Sequence, residues 1–352
     1  MSVQESAMGT LKDGRKVRRF TLRNANGAEA SFTDLGAIWL TMLVPDKTGS
    51  MRDVVLGQED PQELLTNPGH MGEPVGRNAN RIGGAAFKLN GHTYALARND
   101  HENNLHSGPD YYRNRLWDAE YADAGLGSYV MFSLHSPDGD QGFPGNAEIS
   151  VTYTLSEDNA LSIHYKAVAD ADTVFNFTNH AYFNLNGHES GNAMDQYLWL
   201  NADCFTPASD KSIPTGEIRS VAGTPMDFRR PKKFSQEIDA AFDQLQYAGG
   251  YDHNWCLNDY TGESRLSAYA YAEESGIKME VYTDLEGVQV YTANSMPDDA
   301  PAKKHAKYGR RCGFCLETQH YPDCLNKPQF HTSAVKAGED YDSETVFKFT
   351  VI

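Results

Sequence analysis

Two clusters carry side chains able to move protons. In the first, Phe175-Asn-Phe-Thr-Asn-His180-Ala-Tyr-Phe-Asn-Leu-Asn-Gly-His188, Phe175, Phe177 and Phe183 frame a run of amides and imidazoles. That pattern fits a strand whose polar side opens into a cleft and holds His180 by neighbouring amides. A core histidine satisfied by backbone fits the composition equally. In the second, Cys315-Leu-Glu317-Thr-Gln-His320-Tyr-Pro322-Asp, Glu317 follows the apolar run Gly313-Phe314-Cys315-Leu316 and precedes a proline-ended turn. A carboxylate at the inner end of such a strand loses hydration and gains basicity. The plain alternative is a solvated edge glutamate.

Further segments offer recognition rather than proton transfer. Gly76-Arg77-Asn-Ala-Asn80-Arg81 supplies two guanidinium groups that can grip hydroxyls or a carboxylate in forked hydrogen bonds. It has neither the Gly-x-Gly-x-x-Gly spacing nor the Gly-Lys-Ser/Thr ending of a nucleotide loop. Asn104-Leu-His106-Ser-Gly108 adds an imidazole and Val288-Gln289-Val-Tyr291 an amide. Gly250-Tyr-Asp252-His-Asn254 adds a carboxylate that either accepts a pair of hydroxyl hydrogens or caps a turn. Cys312-Gly-Phe-Cys315 matches Cys-x-x-Cys, but no second ligand pair and no βαβ pattern accompanies it, and residues three apart on a strand face opposite sides. The twelve histidines contain no His-Glu-x-x-His, so neither a metal nor another cofactor is expected.

The elements that must hold these side chains read as strands. Ile149, Val151, Tyr153 and Leu155 alternate with polar residues, break at Ser156-Glu-Asp-Asn159, and resume as Leu161, Ile163, Tyr165 and Ala167, the pattern of an antiparallel hairpin. Phe87-Lys-Leu89 meets His92-Thr-Tyr94 across Asn90-Gly91, a pair that tolerates the positive φ angles of a type I′ turn. Met279, Val281 and Thr283 repeat the scheme with Val288, Val290 and Thr292 around residues 284–287, and Phe347, Phe349 and Val351 supply a last strand. Phe234, Ile238, Ala241, Phe242 and Leu245 predict one short helix. Strands without regular alternating helices exclude a parallel α/β fold and predict an all-β one, a large antiparallel β-sandwich. With no repeat, no linker and scattered Gly and Pro, residues 1–352 read as a single domain.

Composition limits the partners. Hydrophobic residues at 40% and charged residues at 22% suit a packed chain and exclude disorder. The net charge of −17 repels phosphate backbones and anionic headgroups, so nucleic acid and membrane are not expected partners. No apolar run approaches the ~18 residues of a bilayer span. The start, Met1-Ser-Val-Gln-Glu-Ser, lacks the basic and apolar regions of a signal peptide, which makes the expected location cytoplasmic. The odd count of five cysteines reads as reduced thiols.

Taken together, the segments resemble the aldose 1-epimerases, also called galactose mutarotases. The matching stretches are 76–82, Asn104-Leu-His106, 136–146, Thr178-Asn-His180 with Tyr182-Phe-Asn-Leu185, 250–254, and Glu317-Thr-Gln319 with Pro322-Asp323, in the family's order and across most of the chain. The resemblance implies a β-supersandwich, a catalytic glutamate at Glu317 and a catalytic histidine at His180. It also implies sugar-binding roles for Arg77, His106, Asp252 and Gln289, with Asn80 and Arg81 beside them. The implied reaction interconverts α and β anomers of free hexoses such as galactose and glucose. A base takes the C1 hydroxyl proton while an acid protonates the ring oxygen, and neither metal nor cofactor takes part. Glu317 and His180 should then face one cleft with a pyranose edge between them, and Arg77, His106 and Asp252 should share its wall. The partner is a small sugar, with monomer and homodimer both open. Departures at Ser107, Trp255 and Cys324 bear on sugar preference. Two rival readings remain. A hexose-6-phosphate 1-epimerase needs an added cationic pocket, for which Arg229-Arg230-Pro-Lys232-Lys233 and Lys303-Lys304 are the basic stretches. A non-catalytic sugar-binding protein would have no use for an acid and a base at one carbon.

Overall fold

The computed structural model describes residues 2–124 and 127–352, and its three large sheets are antiparallel throughout. Nine strands form the largest, in the spatial order Asp118–Ala124, Gly127–Ser136, Ala147–Ser156, Ala160–Ala169, Tyr341–Val351, Ile277–Thr283, Arg265–Tyr271, Tyr197–Leu200 and Lys232–Lys233. The first five strands of the chain, from Ser2–Thr10 to Met51–Asp53, form a meander. A six-stranded sheet runs Tyr182–Phe183, Phe314–Gln319, Gly287–Tyr291, Asp252–Cys256, Cys204–Thr206 and Arg219–Ser220. The expected all-β sandwich is what the chain builds.

Period-two alternation explains the packing, because each strand sends every second side chain inward. Phe32 of the meander stacks on Tyr153 of the nine-stranded sheet with centroids 4.1 Å apart, and Phe183 of the six-stranded sheet meets Phe347 at 5.1 Å. One apolar cluster therefore draws on all three sheets. The hairpin pairing Ala147–Ser156 with Ala160–Ala169 and the Asn90-Gly91 turn, with φ of +51° and +80°, form as the sequence predicts.

Three local expectations are corrected. Met279 and Val281 lie in the nine-stranded sheet while Val288 and Val290 lie in the six-stranded one, so no hairpin joins them. Here the chain crosses between sheets, and the crossing buries Leu285 and Glu286. Both flanking strands alternate apolar with polar side chains, so the pattern alone could not tell a hairpin from a crossing. The expected helix is broken as well. A 3₁₀ turn at Phe234–Gln236 is followed by extended Phe242 (φ −125°, ψ 130°) and a short helix Asp243–Ala248. Its apolar spacing reflects turns pressed on the core. Finally, the strand holding Cys315 begins at Phe314, so strand alternation does not reach Cys312. Both thiols pack into one small apolar cluster.

Candidate active site

The six-stranded sheet has one apolar face and one polar face, and the polar face is the floor of a cleft. Along Phe314–Gln319, Phe314 and Leu316 join the core and Thr318 bonds to Thr345 across the sandwich, which leaves Glu317 and Gln319 on the other side. On the neighbouring strands Val288, Val290 and Trp255 face the core, whereas Gln289, Tyr291 and Asp252 line the cleft. Register places Gln289 opposite Glu317 and Asn254 opposite Gln289. Asn80, Arg81, His106, His180 and Tyr182 also line it, with His70 and Met296 among the residues around them.

His180 is fixed at both ends of its backbone unit, donating from N–H to the Glu73 carbonyl (2.9 Å) and accepting from Gly72 N–H (3.0 Å). Its Nδ1 lies 3.5 Å from Cys315 Sγ, and its Nε2 lies 3.8 Å from Glu317 Oε1. The two groups thus share one cleft, but side by side rather than with a ring edge between them. Such a pair suits the two oxygens borne by a single carbon. Burial pushes the Glu317 carboxyl well above its ordinary value, the Asp252 charge adds to the rise, and Arg81 opposes it. Burial, helped by His70, pushes His180 down to about 3.

An amide chain runs along the floor. Asn80 Nδ2 donates to Gln319 Oε1 (3.5 Å), Gln319 Nε2 to Gln289 Oε1 (3.3 Å), and Gln289 Nε2 to Asp252 Oδ1 (2.7 Å). This orients the remaining Asp252 oxygen lone pairs as hydroxyl acceptors. Asn80 N–H donates to His106 Nδ1 (3.1 Å), so the neutral ring presents Nε2–H to the cleft. Arg81 Nε is bound to Asp100 Oδ2 at 2.8 Å. His106, His180 and Glu317 bring one donor atom each to within 4.8 Å of one another, a set that could also hold a divalent cation, although proton transfer calls for none.

One expected residue is elsewhere. Arg77 is fully buried, and its guanidinium donates to Ser136 Oγ, Thr173 Oγ1 and the carbonyls of Ser136, Pro137, Pro144 and Gly145 at 2.8–3.2 Å. It ties the 136–145 turn to the strands and offers nothing to a ligand. Arg81, four residues on, is the guanidinium that reaches the cleft. Conversely, sequence reasoning missed His70 and Tyr291 as cleft residues. Tyr291 was legible as two residues beyond Gln289 on the same strand face.

His253 sits on the core face beside Phe205 and Trp255, and burial pushes its imidazole down to about 4 from 6.5. Between those values the unfolded chain binds a proton that the folded one refuses, so stability falls as pH falls. The loss from this group between pH 7 and pH 5 is about 2 kcal/mol. In His253→Asn the unfolding free energy should drop less over that interval than in the parent. An equal drop would dissociate His253 from the acid sensitivity.

The comparisons with known proteins bear on the same segments. The family model for aldose 1-epimerase matches residues 18–348. Galactose mutarotase of Bos taurus is 38% identical over 352 residues, covering 100% of this chain and 99% of the relative. Aldose 1-epimerase of Escherichia coli K12 is 34% identical over 339 residues, 96% of each chain. Among solved structures, galactose 1-epimerase from Lactobacillus acidophilus superposes with a TM-score of 0.88 at 25% identity, covering 100% of this chain and 99% of that one. An aldose epimerase homologue from C. elegans superposes with a TM-score of 0.86 at 30% identity, covering 94% and 98%. Every residue that lines the cleft falls inside the matched span, and the chain belongs to the aldose 1-epimerase family.

Proposed function

We propose that the protein interconverts the α and β anomers of free hexoses, galactose and glucose among them, with Glu317 and His180 as the proton-moving pair. The observation that carries this is the 3.8 Å approach of His180 Nε2 and Glu317 Oε1 in a cleft walled by hydroxyl-seeking groups. Glu317 takes the proton from the C1 hydroxyl, the O1 electrons form the C1=O1 bond, the C1–O5 bond breaks, and O5 takes a proton from His180. Rotation about C1–C2 presents the other face of the aldehyde, and closure reverses each transfer. His106, Asp252, Gln289, Asn80 and Arg81 hold the remaining hydroxyls.

The cycle needs one proton shared by the pair. Burial favours carboxylic acid with neutral imidazole, which carries the same single proton as carboxylate with imidazolium, and one transfer interconverts the two. The pH profile of kcat/KM should therefore be a bell, falling at low pH as a second proton binds and at high pH as the last one leaves.

A phosphorylated substrate fits less well. Among the described residues lining the cleft, Arg81 is the sole Lys or Arg, and it already serves Asp100. Of the basic stretches, Lys303 is fully buried and donates to Asp53 and the Leu40 carbonyl, both at 2.8 Å, while Lys232 is half of an ion pair with Glu237. Polarimetry on freshly dissolved α-D-galactose, α-D-glucose and glucose 6-phosphate tests the reading. The free sugars should equilibrate faster with enzyme and the phosphate ester should not. Acceleration of the ester alone would overturn the assignment. The same reading takes residues 1–352 as one domain, in keeping with the shared apolar cluster, and a cytoplasmic location, in keeping with five free cysteines. No helix among the described residues is long and apolar enough to cross a membrane.

A further inference from the structure

The turn at residues 67–73 brings one more imidazole to the cleft. His70 adopts φ +58°, in the left-handed region that few residues with a side chain occupy. Its surroundings are specific. Nδ1 of His70 lies 3.0 Å from Glu73 Oε2 and 3.1 Å from Arg113 Nη1, and with both contacts on Nδ1, Nε2 is left as the uncommitted ring nitrogen. The Glu73 carboxylate is buried and also accepts from Asn67 Nδ2 (2.8 Å) and Arg113 (2.9 Å). Burial alone would raise its pKa, yet His70 and Arg113 outweigh burial and leave it below its ordinary value. Taking a carboxylate and a guanidinium out of water is costly, and this pair ties Asn67 and the Leu65 carbonyl of the turn to the His70 ring at the cleft wall. That ring lies 5.1 Å from His106 and 5.7 Å from His180 between centroids, and Gly72 and Glu73 bond to both backbone groups of His180.

We propose that His70 is a further sugar-contacting residue, its Nε2 meeting a ring hydroxyl other than the one on C1, and that Glu73 and Arg113 are positioning residues that hold its Nδ1 edge and so fix the ring's place and tilt. The inference rests on the anomer-exchange reading, in which Glu317 and His180 engage the two oxygens on C1. His70 then acts in ground state and transition state alike, and its loss raises KM rather than lowering kcat.

The test is polarimetric kinetics on galactose for the parent, His70→Ala, His70→Gln and Glu73→Gln, with ¹⁵N NMR of the histidine rings during sugar titration of the parent. In His70→Ala, KM should rise about tenfold with kcat within about threefold, the signature of one lost hydrogen bond used in both states. His70→Gln, which keeps a polar end, should recover part of the loss. Glu73→Gln should give an intermediate KM and should shift the ¹⁵N signal of His70 Nδ1. An unchanged KM in His70→Ala would overturn the proposal, as would a fall in kcat at constant KM, which belongs to a proton relay. Should His70→Ala fail to fold, the titration decides, because a parent His70 resonance unmoved by saturating sugar is incompatible with contact. A parent that does not accelerate mutarotation would sink the underlying reading, whereas failure confined to the His70 variants leaves that reading standing.

Discussion

Glu317→Gln should lower kcat by about 10²–10⁴ while sugar affinity changes only a few-fold. Glutamine keeps the volume and one hydrogen-bonding oxygen of the carboxylate but has no lone pair basic enough to take the C1 hydroxyl proton. The residues proposed to grip the other hydroxyls, Asp252 and Gln289 across the 2.7 Å bond and His106 on Asn80, do not depend on that charge for their geometry. His180→Asn should show the same split, because the two groups handle one proton between them. Anomer exchange by NMR with sugar binding by calorimetry on the same variants separates the two quantities. A variant that binds sugar weakly but turns it over at the parent rate would place Glu317 among the binding groups instead.

Arg77→Met should cost about 3–5 kcal/mol of folding stability and leave KM of the folded protein where it was. The guanidinium satisfies four carbonyls, those of Ser136 and Gly145 buried, and two hydroxyls, and methionine leaves the buried acceptors unpartnered. Urea unfolding followed by circular dichroism measures the first effect and polarimetry the second. A raised KM without loss of stability would return Arg77 to the cleft.

The contrast between Arg77 and Arg81 shows where the sequence ran out. Types and spacing marked both, since each sits in one Gly/Asn-rich run, but which guanidinium turns inward depends on acceptors some sixty residues away in the 136–145 turn. Alternation served better for Glu317. Once Phe314 and Leu316 are read as core, Glu317 must face the other way, and the strand does carry it into the cleft. The same signal misled at 279–292, because two strands in different sheets alternate apolar and polar side chains just as two strands of a hairpin do. In sequence, Lys303 and Lys304 form a basic stretch of the kind a phosphate pocket needs. The burial of Lys303 against Asp53 and the Leu40 carbonyl is set by a contact 250 residues away in the chain, invisible to any local pattern. His70 has a local partner in Glu73, three residues on, but what brings it to the cleft, Arg113 and the neighbouring His180, is distant in sequence.

The central claim is that hexose anomers exchange through opening of the C1–O5 bond by the Glu317–His180 pair. Galactose labelled with ¹³C at C1 and ¹⁸O at O1 tests it most directly, with the isotope shift of C1 followed by NMR while the enzyme equilibrates the anomers. Ring opening predicts accelerated exchange between α and β forms with the ¹⁸O retained through the first turnovers, and loss of that acceleration in Glu317→Gln. Enzyme-dependent washout of the label at the rate of anomer exchange would mean that the C1–O1 bond is the one that breaks, and would contradict the mechanism.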